Sequence, residues 1–120
     1  MVADITDTAG NLLGHVDDRE IKDAHFDIVG YVENGEIKNK LFEIIAYIKD
    51  EQILNGEYNP IGYIEGDAIK DGLYEVVGYF SKTELKDKHF QDIGRFEGEI
   101  SQDQIIAVAI LLFNLILKPR

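Results

Sequence analysis

Ile28-Val29-Gly30-Tyr31-Val32-Glu33-Asn34-Gly35-Glu36-Ile37-Lys38-Asn39 reads as a strand, a tight turn and a second, shorter strand. The first limb is rich in β-branched and aromatic residues, which suit a pleated, half-buried surface. Asn34-Gly35 supplies the positive φ that a two-residue hairpin turn needs. The stretch decides the fold because the chain repeats it every 16 residues.

Outward from it, small residues stand at Gly14, Gly30, Ala46, Gly62, Gly78 and Gly94. The next position is His15, Tyr31, Tyr47, Tyr63, Tyr79 and Arg95, and the one after is Val16, Val32, Ile48, Ile64, Phe80 and Phe96. The shorter limb carries Ile21, Ile37, Ile53, Ile69 and Leu85, then Asp23, Asn39, Asn55, Asp71 and Asp87. Phe26, Phe42, Tyr58, Tyr74 and Phe90 close the cycle, and Ile5, Asp7 and Leu13 fit the same register. The pattern predicts one domain: a half repeat over 1–13, five repeats over 14–93 and a closing strand over 94–100. About ten to twelve antiparallel strands in a meander are expected, the longer ones running as Phe42–Ile48 does. Strict alternation places Phe26, Ile28, Gly30 and Val32 on one face, and Val29 and Tyr31 on the other. Pro60 cannot donate a ladder hydrogen bond, so its column is a candidate bulge that would reverse the faces beyond it. Alanine tolerates positive φ poorly, so Ala46 indicates that its column selects for size, with a bulky group passing close by.

The bulky group is predicted to be a helix. Ser101-Gln102-Asp103-Gln104 has capping-box spacing, and Ile105–Leu117 is apolar apart from Asn114. A helix over 101–118 without a polar face belongs inside protein or in lipid. Its apolar run is about 20 Å long at ~1.5 Å per residue, too short for a bilayer, which needs about 20 residues. The expected architecture is a mainly β, antiparallel barrel of five hairpin repeats around a central hydrophobic C-terminal helix.

The chain has 120 residues, no cysteine and a net charge of −11. Disulfides and thiolate metal sites are excluded. All 23 acidic residues precede Gln104, whereas Lys118 and Arg120 close the chain. Such a surface repels nucleic acid and anionic headgroups, and it favours a basic partner. Met1–Asp7 shows neither a basic nor an apolar leader region, so a cytoplasmic location is expected and membrane association is not.

The phrases Ile28–Val32 and Glu36–Asn39, and the ending Ile93-Gly94-Arg95-Phe96-Glu97-Gly98 before an all-apolar tail, resemble the bacterial five-fold β-flower proteins. The resemblance covers nearly the whole chain. It implies a shallow symmetric barrel with a central hydrophobic helix, similar in plan to Tubby-like and scramblase-like domains, and it carries no activity. The chain departs from the family in its acidity. It also departs at Ala24-His25 and Lys40-Leu41, where the turn before the long strand commonly holds glycine.

No residue set points to an enzyme or a cofactor. One Asp or Asn per 16 residues is too sparse for a calcium ladder and fits an Asx turn. Of His15, His25 and His89, the last two share a repeat column beside a turn and are read as solvated; no metal or catalytic role is expected, and no nucleophile–base arrangement or phosphate loop is present. Tyr31, Tyr47, Tyr63 and Tyr79 are the candidate interaction belt, outward-facing beside Val29, Ile45, Ile61 and Val77 unless neighbouring hairpins cover them. A non-catalytic structural or protein-interaction module is expected, with homo-oligomerisation through the tyrosine belt as one form of it. The alternatives are a domain that takes a hydrophobic ligand or a membrane, and an acidic mimic that occupies a basic partner. The departures from symmetry at Pro60, Asp92 and Arg95 are the places to inspect first.

Overall fold

Twelve short antiparallel strands follow one another along residues 2–98, and in the computed structural model, which describes residues 1–116, they close into a barrel. They are β1 (Val2–Thr6), β2 (Leu12–Asp17), β3 (Glu20–Asp23), β4 (Ile28–Glu33), β5 (Glu36–Asn39), β6 (Ile44–Lys49), β7 (Gln52–Leu54), β8 (Pro60–Glu65), β9 (Ala68–Asp71), β10 (Val76–Phe80), β11 (Glu84–Asp87) and β12 (Asp92–Gly98). Each pairs with its neighbours in sequence, and β1 pairs with β12 to close the ring. The first strand and the last thus make a sixth hairpin-like sector beside the five repeats. A closed meander leaves no sheet edge unpaired. Its geometry puts every tight hairpin turn at one end of the barrel and every Asx turn at the other.

The core is a consequence of the repeat. Ile5, Ile21, Ile37, Ile53, Ile69 and Leu85 are all fully buried, one per sector. They surround α1 (Gln102–Leu111), whose Ile105, Ile106, Ala107, Val108 and Ala109 are buried with them. Ser101 caps α1 with the reciprocal pair of bonds to Gln104 that the spacing predicts.

The helix is shorter than expected. It ends at Leu111, because Asn114 takes a left-handed conformation (φ 50°) and the Leu115 amide reaches back to the Ala109 carbonyl. Asparagine tolerates that conformation best after glycine, which makes it a helix terminator. Leu117 and Lys118, included in the predicted helix, lie outside the described residues.

The small-residue column therefore meets the turn after the helix. A Cβ added at Gly30 would lie 2.6 Å from Leu111, at Gly14 2.6 Å from Leu112, and at Gly94 3.1 Å from Phe113. At Gly78 it would lie 2.9 Å from Leu115, and at Gly62 2.7 Å from Ile116. Read from Leu111 to Ile116, these contacts fall on β4, β2, β12, β10 and β8, a walk around the inside of the barrel one sector at a time. The left-handed Asn114 makes the walk possible, since a continuing helix would project its side chains on a fixed 3.6-residue spiral.

The longer strands begin later than expected and carry a bulge in every sector. Ile21 lies opposite Gly30 while Lys22 lies opposite Ile28, leaving Val29 as the extra residue. Leu13, Ile45, Ile61, Val77 and Ile93 are extra in the same way. The bulge anticipated at Pro60 is thus a property of the whole column. It corrects the alternation drawn for the strands. Val29, Ile45, Ile61 and Val77 pack against the core, not outward beside the tyrosines. Phe26, Phe42, Tyr58, Tyr74 and Phe90 leave the glycine face and stand in the Asx turns at φ of 65–67°.

Candidate functional site

The tyrosines are placed by β4, β6, β8 and β10. Each is half-buried on the outer wall, and the aromatic residue of the following turn lies over it. Ring centroids are 4.9 Å apart for Tyr31–Phe42, 4.5 Å for Tyr47–Tyr58, 5.2 Å for Tyr63–Tyr74 and 5.0 Å for Tyr79–Phe90. His15 holds the equivalent place on β2, stacked on Phe26 at 4.8 Å. Lys38, Lys70 and Lys86 set their ammonium groups 3.7–3.8 Å from the outer rings, close enough for cation–π attraction. Tyr31, Tyr47, Tyr63 and Tyr79 thus form separate covered stacks, one per sector, and the structure does not bring them together. At one stack Glu65 accepts from both Lys70 and the Tyr74 hydroxyl. Those two bonds hold its carboxyl below the ordinary range and push the Lys70 and Tyr74 groups up.

The Asp/Asn column makes six copies of one turn. In each, the side-chain oxygen accepts from the amides two and four residues on: Asp7 from Ala9 and Asn11, Asp23 from His25 and Asp27, Asn39 from Leu41 and Glu43. Asn55, Asp71 and Asp87 do the same. Among the described residues no group of three or more His, Cys, Asp or Glu side chains is arranged to hold a metal. His25 and His89 are exposed in these turns, as expected. His15 is on β2, in the strand column its register gave it, with Nδ1 2.6 Å from Asp4 Oδ1. Asp92 lies 3.8 Å from Lys86 and 3.3 Å from Arg95, a surface ion-pair cluster that accounts for that departure from the repeat.

The Asx-turn end carries a feature the sequence reading missed. Leu41 and Leu73, at the third turn position, are 71% and 82% exposed. Phe42, Tyr58, Tyr74 and Phe90, in the turns at the same end of the barrel, are exposed as well. Acidic residues alternate with this apolar set, Glu43, Glu57 and Glu75 among them. The missed signal was the left-handed turn position itself. Gly10 holds it once, with φ 87°, and aromatics hold it in the other five turns.

Besides a cavity of about 430 Å³ lined by Pro60, Ile61, Leu73, Val77 and Leu115, two more lie at the two ends. One of about 390 Å³, at the hairpin-turn end, is lined by Asp18, Arg19, Glu33, Asn34 and the start of α1. The other, about 400 Å³, lies at the Asx-turn end beside Ala46, between Ile45, Ile61 and the segment after α1. Among the described residues no helix is long and apolar enough to cross a membrane.

A family model described as "5-fold beta-flower protein" matches residues 2–114. No match was found among curated proteins or among solved structures.

Proposed function

This chain belongs to the 5-fold β-flower family, whose name states a shape and no reaction, and from that premise we propose that it is a non-catalytic protein-interaction module. It engages its partner with the Asx-turn end of the barrel. The observation that carries the reading is the exposure of Leu41 and Leu73 at the same end of the barrel as exposed aromatic rings. Leucines so exposed contribute little to the fold, while each offers on the order of 1.5–3 kcal/mol when buried against another surface. A cluster of exposed apolar side chains with a polar fringe is the usual form of a protein contact site. The fringe here is acidic, which favours a partner whose apolar contact is bordered by lysine or arginine, and it disfavours self-association. A cytoplasmic location is part of the same proposal.

The test compares wild type with the Leu41→Ser/Leu73→Ser double variant, immobilised and exposed to a lysate of the source organism. The variant is expected to keep the wild-type melting temperature within a few degrees and to lose captured protein about tenfold. Equal capture by the two proteins would remove the reading.

A further inference from the structure

Three departures from the repeat gather in one sector. Ala46 is the one ring position that is not glycine. Leu54 stands where four other short strands have lysine, and Pro60 replaces a β-branched residue or its equivalent at the start of β8. The sheet is altered with them. Gly14, Gly30, Gly62 and Gly78 pair with Asp23, Asn39, Asp71 and Asp87. At Ala46 the corresponding pair with Asn55 is missing, and β7 stops at Leu54, as the pair of Gly94 with Asp7 is missing where β1 ends at Thr6. An added Cβ at Gly14, Gly62 or Gly78 would lie 2.7–2.8 Å from the carbonyl oxygen of the residue before the Asx position. The methyl of Ala46 stands where β7 has already left the sheet.

The same sector contains the cavity of about 400 Å³, with Ala46, Ile45 and Ile61 as walls and Ile110, Leu111 and Ile116 as floor. We propose that it is a binding site for a small, neutral, mainly apolar molecule with one hydroxyl or amide head group. The volume falls at the lower end of the range for ligand pockets, and the lining has their composition: apolar walls with few polar groups. The polar groups are Asn39 and Asn114. Asn39 is committed to its own turn, its oxygen accepting from Leu41 and Glu43 and its amide donating to Glu43. Asn114, on the exposed side of the lining, presents a carboxamide that both donates and accepts. No lysine or arginine is among the described lining residues. With Glu43 beside Asn39 and a net charge of −11, an anionic head group meets repulsion and finds no cationic partner among the described lining residues. At Gly14, Gly30, Gly62 and Gly78 the approach of strand and terminal segment is closer than a methyl group permits, whereas beside Ala46 there is space, continued across Ile61 by the cavity at Val77 and Leu115.

The site is independent of the rim proposed to bind protein, and the experiment separates the two. The neutral fluorophore N-phenyl-1-naphthylamine is titrated into the wild-type protein, and 1-decanol and ionised decanoate are compared as competitors. Saturable binding is expected, with 1-decanol competing at least about tenfold better than decanoate. Ile61→Trp and Ala46→Leu, which fill the space, are each expected to weaken the probe about tenfold or more, while Leu41→Ser/Leu73→Ser leaves it within about twofold. Methyl chemical shifts in the wild-type protein give a reading that needs no variant: 1-decanol should move Ile45, Ile61, Ile110 and Ile116 and leave Ile21 and Ile93 in place. Absence of saturable binding, equal competition by decanoate, shifts spread over the whole barrel, or a loss confined to the leucine variant would overturn the proposal.

Discussion

At Gly78 an added methyl would lie 2.7 Å from the Lys86 carbonyl oxygen and 2.9 Å from Leu115. Both neighbours are held, one by the sheet and one by the core, so Gly78→Ala is expected to cost about 1–3 kcal/mol in urea unfolding. Ala46→Gly should change stability by about 1 kcal/mol or less, since its main cost is the freedom glycine gains when unfolded. A larger loss for Ala46→Gly than for Gly78→Ala would contradict the steric account of the ring. The choice of small residues was legible from Ala46 alone. The second cause, the carbonyl of the adjacent strand, was not, because nothing in a sequence reports how closely two backbones approach. The Asx turns were legible as well, and they make a pH prediction. Hydrogen bonds from Asn11 and the turn amides lower the Asp7 pKa. Its stabilising contribution is therefore complete above the ordinary aspartate pKa and is lost as pH falls through the lowered, folded value. Asn39 and Asn55 make the same turn without a charge, so Asp7→Asn should keep the fold and lack this loss. The stability difference between wild type and Asp7→Asn, measured by urea at a series of pH values, should move in favour of the variant on acidification; a constant difference would count against it.

Among the elements, α1 was the most legible at its start and the least at its end. Ser101 and Gln104 announce the cap, and Gln104 then does more than the motif requires. It is almost fully buried, and its Nε2 donates to the Asp18 carbonyl at 2.6 Å and the Met1 carbonyl at 3.2 Å. The helix start is thereby tied to the first hairpin turn and to the strand that closes the barrel. Gln104→Ala should cost about 1–3 kcal/mol, chiefly through the Asp18 carbonyl it deprives of its donor, since the Met1 carbonyl also accepts from the Asp18 amide, against about 0.5–2 kcal/mol for Ser101→Ala. Because the two residues share the capping box, the double variant should cost less than the sum; strict additivity in urea melts would argue against a shared role. The helix stop at Asn114 was written in the sequence as the single polar residue of an apolar run, and polarity was the wrong property to read there. Its φ was the informative one. The bulge was hidden for a related reason: two adjacent apolar residues before each glycine suit either face, and only Pro60 exposed the irregularity. A bulge read as a candidate at one column, with strict alternation kept for the strands, hid the aromatic stacks and the apolar rim, the two features on which any docking surface depends.

At the scale of the molecule, the meander sorts charge as well as turns. The stretches 17–20, 33–36, 49–52, 65–68, 81–84 and 97–103, all at the hairpin-turn end, hold 13 of the 23 acidic residues and three of the 12 basic ones. Like charges crowded on one rim repel, and added salt screens them. The melting temperature should therefore rise between low and moderate sodium chloride, and a fall would show that attractive surface pairs such as Asp92 with Lys86 and Arg95 outweigh the repulsion. The walk of Leu111–Ile116 around the inner wall has a different consequence. Near-identical hairpins can in principle close with one unit too few or too many, or be traded between two chains. The terminal segment removes that freedom, since only one number of sectors seats Leu111, Leu112, Phe113, Leu115 and Ile116 each against its own glycine. It works as a gauge of copy number. A 16-residue duplication would preserve every hairpin and still misfit the gauge, so a sequence built by repetition has ended with units that are no longer interchangeable.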